Sequence, residues 1–278
     1  MTAKSARFPL SPSARLAFGF TVFVALFAFI GPYWGGDPTQ IRPDSPLLGP
    51  FQSPLHWFGT DDLGRDLLSR LAIGAQISLF IGLATAVVSV CLGTFYGAVA
   101  AIGESWLDAW MMRFTDILYS LPALMIVILL SVFLGRNVWS LVLALSLFSW
   151  PDTARLVRGQ VLRLRQEEYV EAFHSLGGHW TRLLFRHIIP NTLGIIILSA
   201  TITVPRAILT ESTLSFIGLG VEPPLSSWGT LASEGWQLLR VAPHLLLFPA
   251  LFIALTMISL NLLGDALRIH FDPKSTGH

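Results

Sequence analysis

Residues able to hydrolyse ATP or transfer a chemical group are scarce in this chain of 278 residues. A phosphate-binding loop needs Gly-Lys-Ser or Gly-Lys-Thr, so that backbone N–H groups and the lysine can hold the phosphates. The only lysines, Lys4 and Lys274, follow Ala3 and Pro273, so neither fits. A Gly-x-Ser-x-Gly nucleophile elbow is also missing from the sequence. The sequence therefore predicts no catalytic residues and no enzyme activity in this chain.

Metal and redox chemistry have equally little support. Cys91 is the single cysteine, so no internal disulfide can form, and its apolar surroundings indicate a packing role. His174, His179 and His187 are spaced by five and eight residues, which does not place all three on one helix face. We expect no metal site and no cofactor bound by this chain.

Apolar residues make up 53% of the chain and charged residues 13%, against about 25% charged in an average soluble domain. The apolar residues form six blocks. Most of these blocks approach the roughly twenty residues that a helix needs to cross a bilayer. The blocks are Leu16–Ile30, Ile77–Ala101, Ile117–Leu134, Val138–Trp150, Leu193–Thr213 and Leu245–Leu263. The sequence predicts an all-α membrane protein with about six transmembrane helices. The net charge of +1 gives no indication of nucleic-acid binding.

Two of these blocks leave alternatives open. Leu16–Ile30 follows Lys4, Arg7 and Arg15, as the apolar part of a cleavable signal peptide would. No small-x-small cleavage site follows it, which favours a transmembrane helix. Val138–Trp150 is too short to span alone, but can extend past Pro151.

The distribution of lysine and arginine predicts an orientation. If the N-terminus is cytoplasmic, six spans return the C-terminus to the cytoplasm. The cytoplasmic segments then hold twelve basic residues: Lys4, Arg7, Arg15, Arg113, Arg155, Arg158, Arg163, Arg165, Arg182, Arg186, Arg268 and Lys274. The external segments hold five: Arg42, Arg65, Arg70, Arg136 and Arg240. Arg206 remains inside a span.

The external segments have the composition of ordered structure. Gly35–Pro54 is rich in proline, glycine and aspartate, which favours turns, and Leu63–Ala75 is expected to be a short helix that enters the second span. Ser226–Gly229 is expected to place the Trp228 indole near the outer membrane interface.

The longest polar segment on the cytoplasmic side is Asp152–Asn191. Apolar and charged residues interleave from Val161 to Phe173 in an amphipathic helical pattern, and Gly177 with Gly178 should end that helix. A second helix is expected to end before Pro190. The segment is either a solvated loop or a knob that docks into a groove of a partner protein.

The residues of this segment resemble the EAA loop of ABC importer permeases: Glu171-Ala172-Phe173, then Gly177, then His187-Ile188-Ile189-Pro190-Asn191. The sequence departs from that motif at Phe173, where alanine is usual, and at Ile189, where leucine is usual. Two further stretches, Phe58–Asp66 and Glu211–Gly220, with Pro223-Pro224 and Ser227–Gly229 following, are similar to the dipeptide, oligopeptide and nickel permease family, "C" subunit branch. The resemblance extends from the first span to Asp272.

This resemblance implies a coupling helix between spans 4 and 5 that lies in a cleft of an ATPase subunit. The residues of that coupling loop would be Glu171, Ala172, Phe173, Gly177, Gly178 and Pro190. The implied partners are a second homologous permease subunit in a heterodimer, two ATPase subunits that hold ATP and magnesium, an external solute-binding protein and the lipid bilayer. The implied location is the bacterial cytoplasmic (inner) membrane, with both termini in the cytoplasm.

The chain then divides into five parts. They are a cytoplasmic tail (1–15), a first transmembrane helix (16–34), an external segment (35–76), a permease core (77–272, with the EAA-like loop at 152–191) and a C-terminal tail (273–278). The resemblance implies import of dipeptides or oligopeptides, with nickel or another small solute as the alternative. A secondary transporter or channel would need inverted repeats or an intramembrane acid relay, and neither is evident. A scaffold that binds ATPases but transports nothing is the third alternative.

Arg206 and Glu211 are candidates for the translocation path. Arg206 lies about thirteen residues into the fifth span, or roughly 20 Å along the helix, where ionisable residues usually have a function. It follows Pro205, which frees a backbone carbonyl nearby. We hypothesise from membrane energetics alone that Arg206 faces the path or a partner helix. Arg113 and Asp116, near the inner start of the third span, fit an anchoring role better.

Overall fold

The computed structural model describes residues 11–34, 37–175 and 180–271, and these residues form a helical protein. Its helices are α1 (Pro12–Trp34), α2 (Leu67–Ile102), α3 (Ser105–Ser120), α4 (Ala123–Leu134), α5 (Val138–Leu164), α6 (Glu168–Ser175), α7 (Trp180–Leu183), α8 (Ile189–Phe216), α9 (Trp228–Gln237) and α10 (His244–Phe271). A π-helical segment, Leu184–Ile188, joins α7 to α8. The all-α prediction is confirmed.

Four helices, α1, α2, α8 and α10, are long and apolar enough to cross a membrane. Helices α3 and α4 meet the same criterion only as a bent pair, which makes four or five candidate spans. Helix α5 does not meet it, since its second half carries Asp152, Arg155, Arg158 and Arg163. The structure therefore matches the expected multi-span architecture in its coarse form.

The expected third span, Ile117–Leu134, is wrong as an uninterrupted helix. The chain bends by 83° between α3 and α4, and Leu121 and Pro122 have extended backbones at the break. Proline disfavours helical geometry in the residue before it and has no N–H of its own. By contrast, α5 passes through Pro151 without ending, so the predicted extension of this helix past Pro151 is confirmed.

The connection between α5 and α8 differs in two ways from the predicted pair of helices. The amphipathic pattern is divided, because α5 ends at Leu164 and α6 begins at Glu168. Pro190 does not follow a helix end. It is the second residue of α8 and comes directly after the π-helical segment, so it lies within a continuous helical stretch. Gly177 and Gly178 lie outside the described residues.

Helix α2 is the centre of the bundle and packs on α1, α5 and α8. Small residues allow its close approach to α5. A Cβ atom placed on Gly97 would lie 2.2 Å from the carbonyl oxygen of Ala154, and one on Gly93 would lie 2.5 Å from the Cβ of Thr153. The two backbones therefore pack together without intervening side chains.

The Trp228 indole, which the sequence predicts near the outer membrane interface, is fully buried in the protein core. Its Nε1 donates a hydrogen bond to the carbonyl oxygen of Leu71, at 3.0 Å, and its ring packs beside Phe252. Ser227 begins α9 with a capping box that includes Thr230. The motif thus fixes α9 against α2 and α10.

Candidate functional site

Helix α6 carries the predicted coupling residues Glu171, Ala172 and Phe173. Its inner face is anchored, since Val170 is buried in an apolar cluster and Phe173 packs against that cluster. The cluster members are Ala98, Ala101, Val157, Val161, Val170, Leu183, Leu184 and Ile188. Helix α6 is therefore fastened to the ends of α2 and α5 and to the segment that leads into α8. The bulk of Phe173 serves this packing.

A cleft with a volume of about 290 Å³ opens where α3 and α4 meet α5 and α8. Its walls are mostly apolar. The lining residues are Leu118, Tyr119, Leu121, Ala123, Leu124, Val127, Phe148, Ser149, Pro151, Asp152, Arg206, Ala207 and Thr210. We call it the α5–α8 cleft. The break at Leu121 supplies one wall, so the bend between α3 and α4 helps to form the cleft.

Two charged side chains meet in the α5–α8 cleft. The guanidinium of Arg206 donates from Nη1 to Oδ2 of Asp152, at 2.5 Å, and Oδ1 of Asp152 accepts a hydrogen bond from the Tyr119 hydroxyl. The side chain of Arg206 is 62% exposed and that of Asp152 is 37% exposed. Each of the two residues directly follows a proline inside a helix, Pro205 and Pro151 respectively.

Further ion pairs join α3 to α5 beside the cleft. Arg155 binds Asp116, and its guanidinium lies over the Tyr119 ring, 4.1 Å from the centroid. Arg158 pairs through two nitrogens with Asp108. One side of the bundle therefore carries a row of paired charges that runs across three helices.

Glu211 does not join Arg206 in the cleft. Its carboxylate is fully buried and accepts hydrogen bonds from the hydroxyls of Ser215, at 2.6 Å, and Ser78, at 3.3 Å. The hydroxyl oxygen of Ser78 also accepts a hydrogen bond from the backbone N–H of Trp228. Glu211 thus links α2, α8 and α9 inside the bundle.

A second polar cluster holds the loop cap, residues 37–66, on the helices. Asp61 accepts hydrogen bonds from Arg65 and Arg70, both at 2.6 Å, and Arg70 also binds both carboxylate oxygens of Glu234 on α9. Arg70 is nearly fully buried. Gly59 has a φ of +86°, and a Cβ there would lie 2.1 Å from the carbonyl oxygen of Leu48. The Phe58–Asp66 motif therefore encodes a tight fold of the cap.

His56 completes the attachment of the cap to α2. Its Nδ1 lies 2.9 Å from Oδ1 of Asp66, while Nε2 lies 2.8 Å from Nη1 of Arg42. Arginine can only donate, so Nε2 accepts and Nδ1 donates to Asp66. The other oxygen of Asp66 caps α2 by accepting from the backbone N–H of Ser69.

Sequence reasoning located Arg206 but missed Asp152 as its partner, and it missed the Asp61–Arg70–Glu234 network. An aspartate directly after a proline within an extended apolar helix was the available signal for Asp152. Arg70 and Glu234 are 164 residues apart, and no local pattern connects them. Within the described residues, no group of three or more metal-ligating side chains forms a metal site.

Comparison with known proteins shows similarity along most of the chain. Residues 89–277 match the family described as "Binding-protein-dependent transport system inner membrane component". The chain is 43% identical to the oligopeptide transport system permease protein OppC of Bacillus subtilis (strain 168), over 96% of this chain and 88% of that protein. It is 42% identical to the dipeptide transport system permease protein DppC of the same organism, over 91% of this chain and 79% of that protein.

The fold also has a counterpart among solved structures. A chain of the MetNI methionine ABC transporter, in an inward-facing conformation, superposes with a TM-score of 0.59 at 16% sequence identity. The match covers 73% of this chain and 96% of that chain, and it shows a shared fold.

Proposed function

The chain belongs to the family of binding-protein-dependent transport system inner membrane components, and from this premise we propose that it is a permease subunit that imports oligopeptides or dipeptides. The observation that carries the proposal is the similarity to peptide permeases over more than nine-tenths of this chain and over 79–88% of the relatives. This similarity confirms the permease family that the sequence motifs predict. A transport component is also consistent with the lack of catalytic motifs in the sequence.

We infer a six-span topology with both termini in the cytoplasm. Helices α3 and α4 together form the bent third span, and α5 forms the fourth although its second half is charged. The excess of lysine and arginine in the segments then assigned to the cytoplasm supports this orientation. The loop cap and α9 are external in this arrangement and receive the solute-binding protein.

Energy must come from partner chains in this proposal, because the sequence has no phosphate-binding loop. Two ATPase subunits hold ATP and magnesium, and α6 is the coupling helix that docks on one of them. Its anchoring supports this role. Val170 and Phe173 fasten α6 to the cluster at the ends of α2 and α5, so a displacement of α6 moves these helices together.

The row of paired charges on α3, α5 and α8 supports placing the translocation path on that side. Exposed charges such as those of Arg206 and Asp116 are costly against lipid tails, so this side must meet water or protein. A second, homologous permease subunit covers it in our proposal. The path then runs between the two subunits, with the α5–α8 cleft on its wall.

Reconstitution in liposomes tests the proposal. The chain is combined with its second permease, the two ATPases and a peptide-loaded binding protein, and uptake of a labelled tripeptide is measured. We expect uptake only with ATP and with every component present. Uptake by this chain alone would instead identify a secondary transporter or channel.

A double variant tests the coupling role of α6. Replacing Glu171 with glutamine and Gly177 with valine should abolish ATP-driven uptake and weaken co-purification of the ATPases. The matched control replaces Glu167 with glutamine and Gly159 with valine, which are the same two substitutions outside the coupling residues 171–178, and it should retain both. Normal uptake and normal ATPase association in the first variant would count against docking through α6.

A further inference from the structure

The ion pair in the α5–α8 cleft is built so that it can exchange partners. Arg206 is the more exposed member, and among the described residues its guanidinium makes one side-chain hydrogen bond, to Asp152. An arginine has five N–H donors in a rigid fork. The remaining donors have no acceptor among the described residues, and Arg206 lines a cleft that has room for a second acceptor.

Asp152 can release Arg206 without losing every partner. Its Oδ1 keeps the hydrogen bond from the Tyr119 hydroxyl while Oδ2 holds Arg206. A carboxylate with no partner in a low-dielectric site would be costly. Because Tyr119 remains, separation of Asp152 from Arg206 leaves a polar contact in place.

We propose that Arg206 binds the terminal carboxylate of a peptide in transit, and that Asp152 is the counter-ion that takes its place when the path is empty. This inference rests on the proposed function and adds a ligand chemistry to it. A path that accepts peptides of varied sequence can rely only on groups that all peptides share, and the terminal carboxylate is one of them. Arginine matches a carboxylate with two parallel hydrogen bonds.

The size of the cleft agrees with capture of a peptide end. Its volume of about 290 Å³ is at the lower limit of ligand pockets, which span about 300–1,000 Å³. Leu124, Val127 and Phe148 give the cleft apolar walls beside the ion pair, which suits the apolar part of a peptide end. Competition from Asp152 keeps the capture reversible, which transport requires.

The test compares two peptides in the reconstituted complete transporter. One is trialanine with a free carboxylate and the other is trialanine carboxamide, each at a concentration that saturates the binding protein. We expect the wild-type transporter to import the peptide with a free carboxylate about tenfold faster than the carboxamide, because one charge-assisted hydrogen bond contributes about that factor. In Arg206→Gln this ratio should fall to about one. Arg206→Lys should keep part of it.

Two control variants test whether Arg206 binds the peptide carboxylate or only holds the helices together through its ion pair with Asp152. Arg158→Gln removes another interhelical ion pair, outside the cleft, and should leave the ratio unchanged. Asp152→Asn removes the competitor and should raise the ratio. This variant also tests the inference if Arg206→Gln fails to assemble. A carboxylate-to-carboxamide import ratio at or below the wild-type value in Asp152→Asn would show that Asp152 does not compete with the peptide for Arg206.

The outcomes distinguish this inference from the function on which it rests. Equal loss of uptake for both peptides in Arg206→Gln would assign the pair a structural role and overturn the inference alone. A wild-type ratio of one would do the same. Absence of ATP-driven uptake of either peptide by wild type would overturn the proposed function, and the inference with it.

Discussion

Gly97 lies where α2 crosses α5, and its replacement by alanine should loosen that crossing. A Cβ at this position lies 2.2 Å from the carbonyl oxygen of Ala154, whereas ordinary van der Waals contact begins at 3.4 Å. The obstacle is helix backbone, so the two helices would have to separate by about 1.2 Å at this point. Overpacking of this kind costs about 1–3 kcal/mol, and we expect Gly97→Ala to lose stability by that amount.

Gly159 on α5 provides the matched control. No atom lies within 4 Å of a Cβ placed there, so the same substitution should stabilise the helix by about 0.5–1 kcal/mol. The assay heats the detergent-solubilised protein and follows the fluorescence of its nine tryptophans. Gly97→Ala should lower the melting midpoint and Gly159→Ala should raise it. Equal midpoints for the two variants would refute the reasoning, because close approach of the helices would then not limit packing.

Three further substitutions test the attachment of the cap and of α9 by the same melting assay. Arg70→Met should cost about 1.5–3 kcal/mol, because it removes charge-assisted hydrogen bonds to Asp61 and Glu234. Glu234→Gln, at the more exposed end of that contact, should cost less, and equal losses would contradict this account. Trp228→Phe should cost about 2 kcal/mol, since it removes the bond to Leu71 and leaves a small cavity. An unchanged midpoint would show that the indole N–H contributes nothing.

The prolines show how far local sequence could predict this fold. Pro122 lies at a break between two helices, whereas Pro151 and Pro205 lie inside continuous ones. The same side chain thus accompanies opposite outcomes. The result depends on whether neighbouring helices hold the chain straight, and that information lies in residues far along the sequence.

For the candidate site, the sequence identified individual residues but not the residues that they contact. Arg206 stood out because a charge within an apolar block is costly and therefore usually functional. Its partner Asp152 was not identified, since the two residues are 54 positions apart. Glu211 stood out by the same rule, but packing turns it toward Ser78 and Ser215 inside the bundle. Residue type indicated that these groups matter, and the fold decided what they contact.

The sequence by itself determined that the chain is an apolar, helical membrane protein without a phosphate-binding loop, and that it resembles importer permeases. Each of those properties depends on residues that are close together in the sequence, so the length of the apolar segments and the spacing of the motifs are enough to predict them. Only the tertiary structure decided that Trp228 is buried, that Arg206 pairs with Asp152 and that α6 is fastened to α2 and α5. Such contacts depend on how helices distant in sequence pack together, and no single stretch of sequence contains both partners.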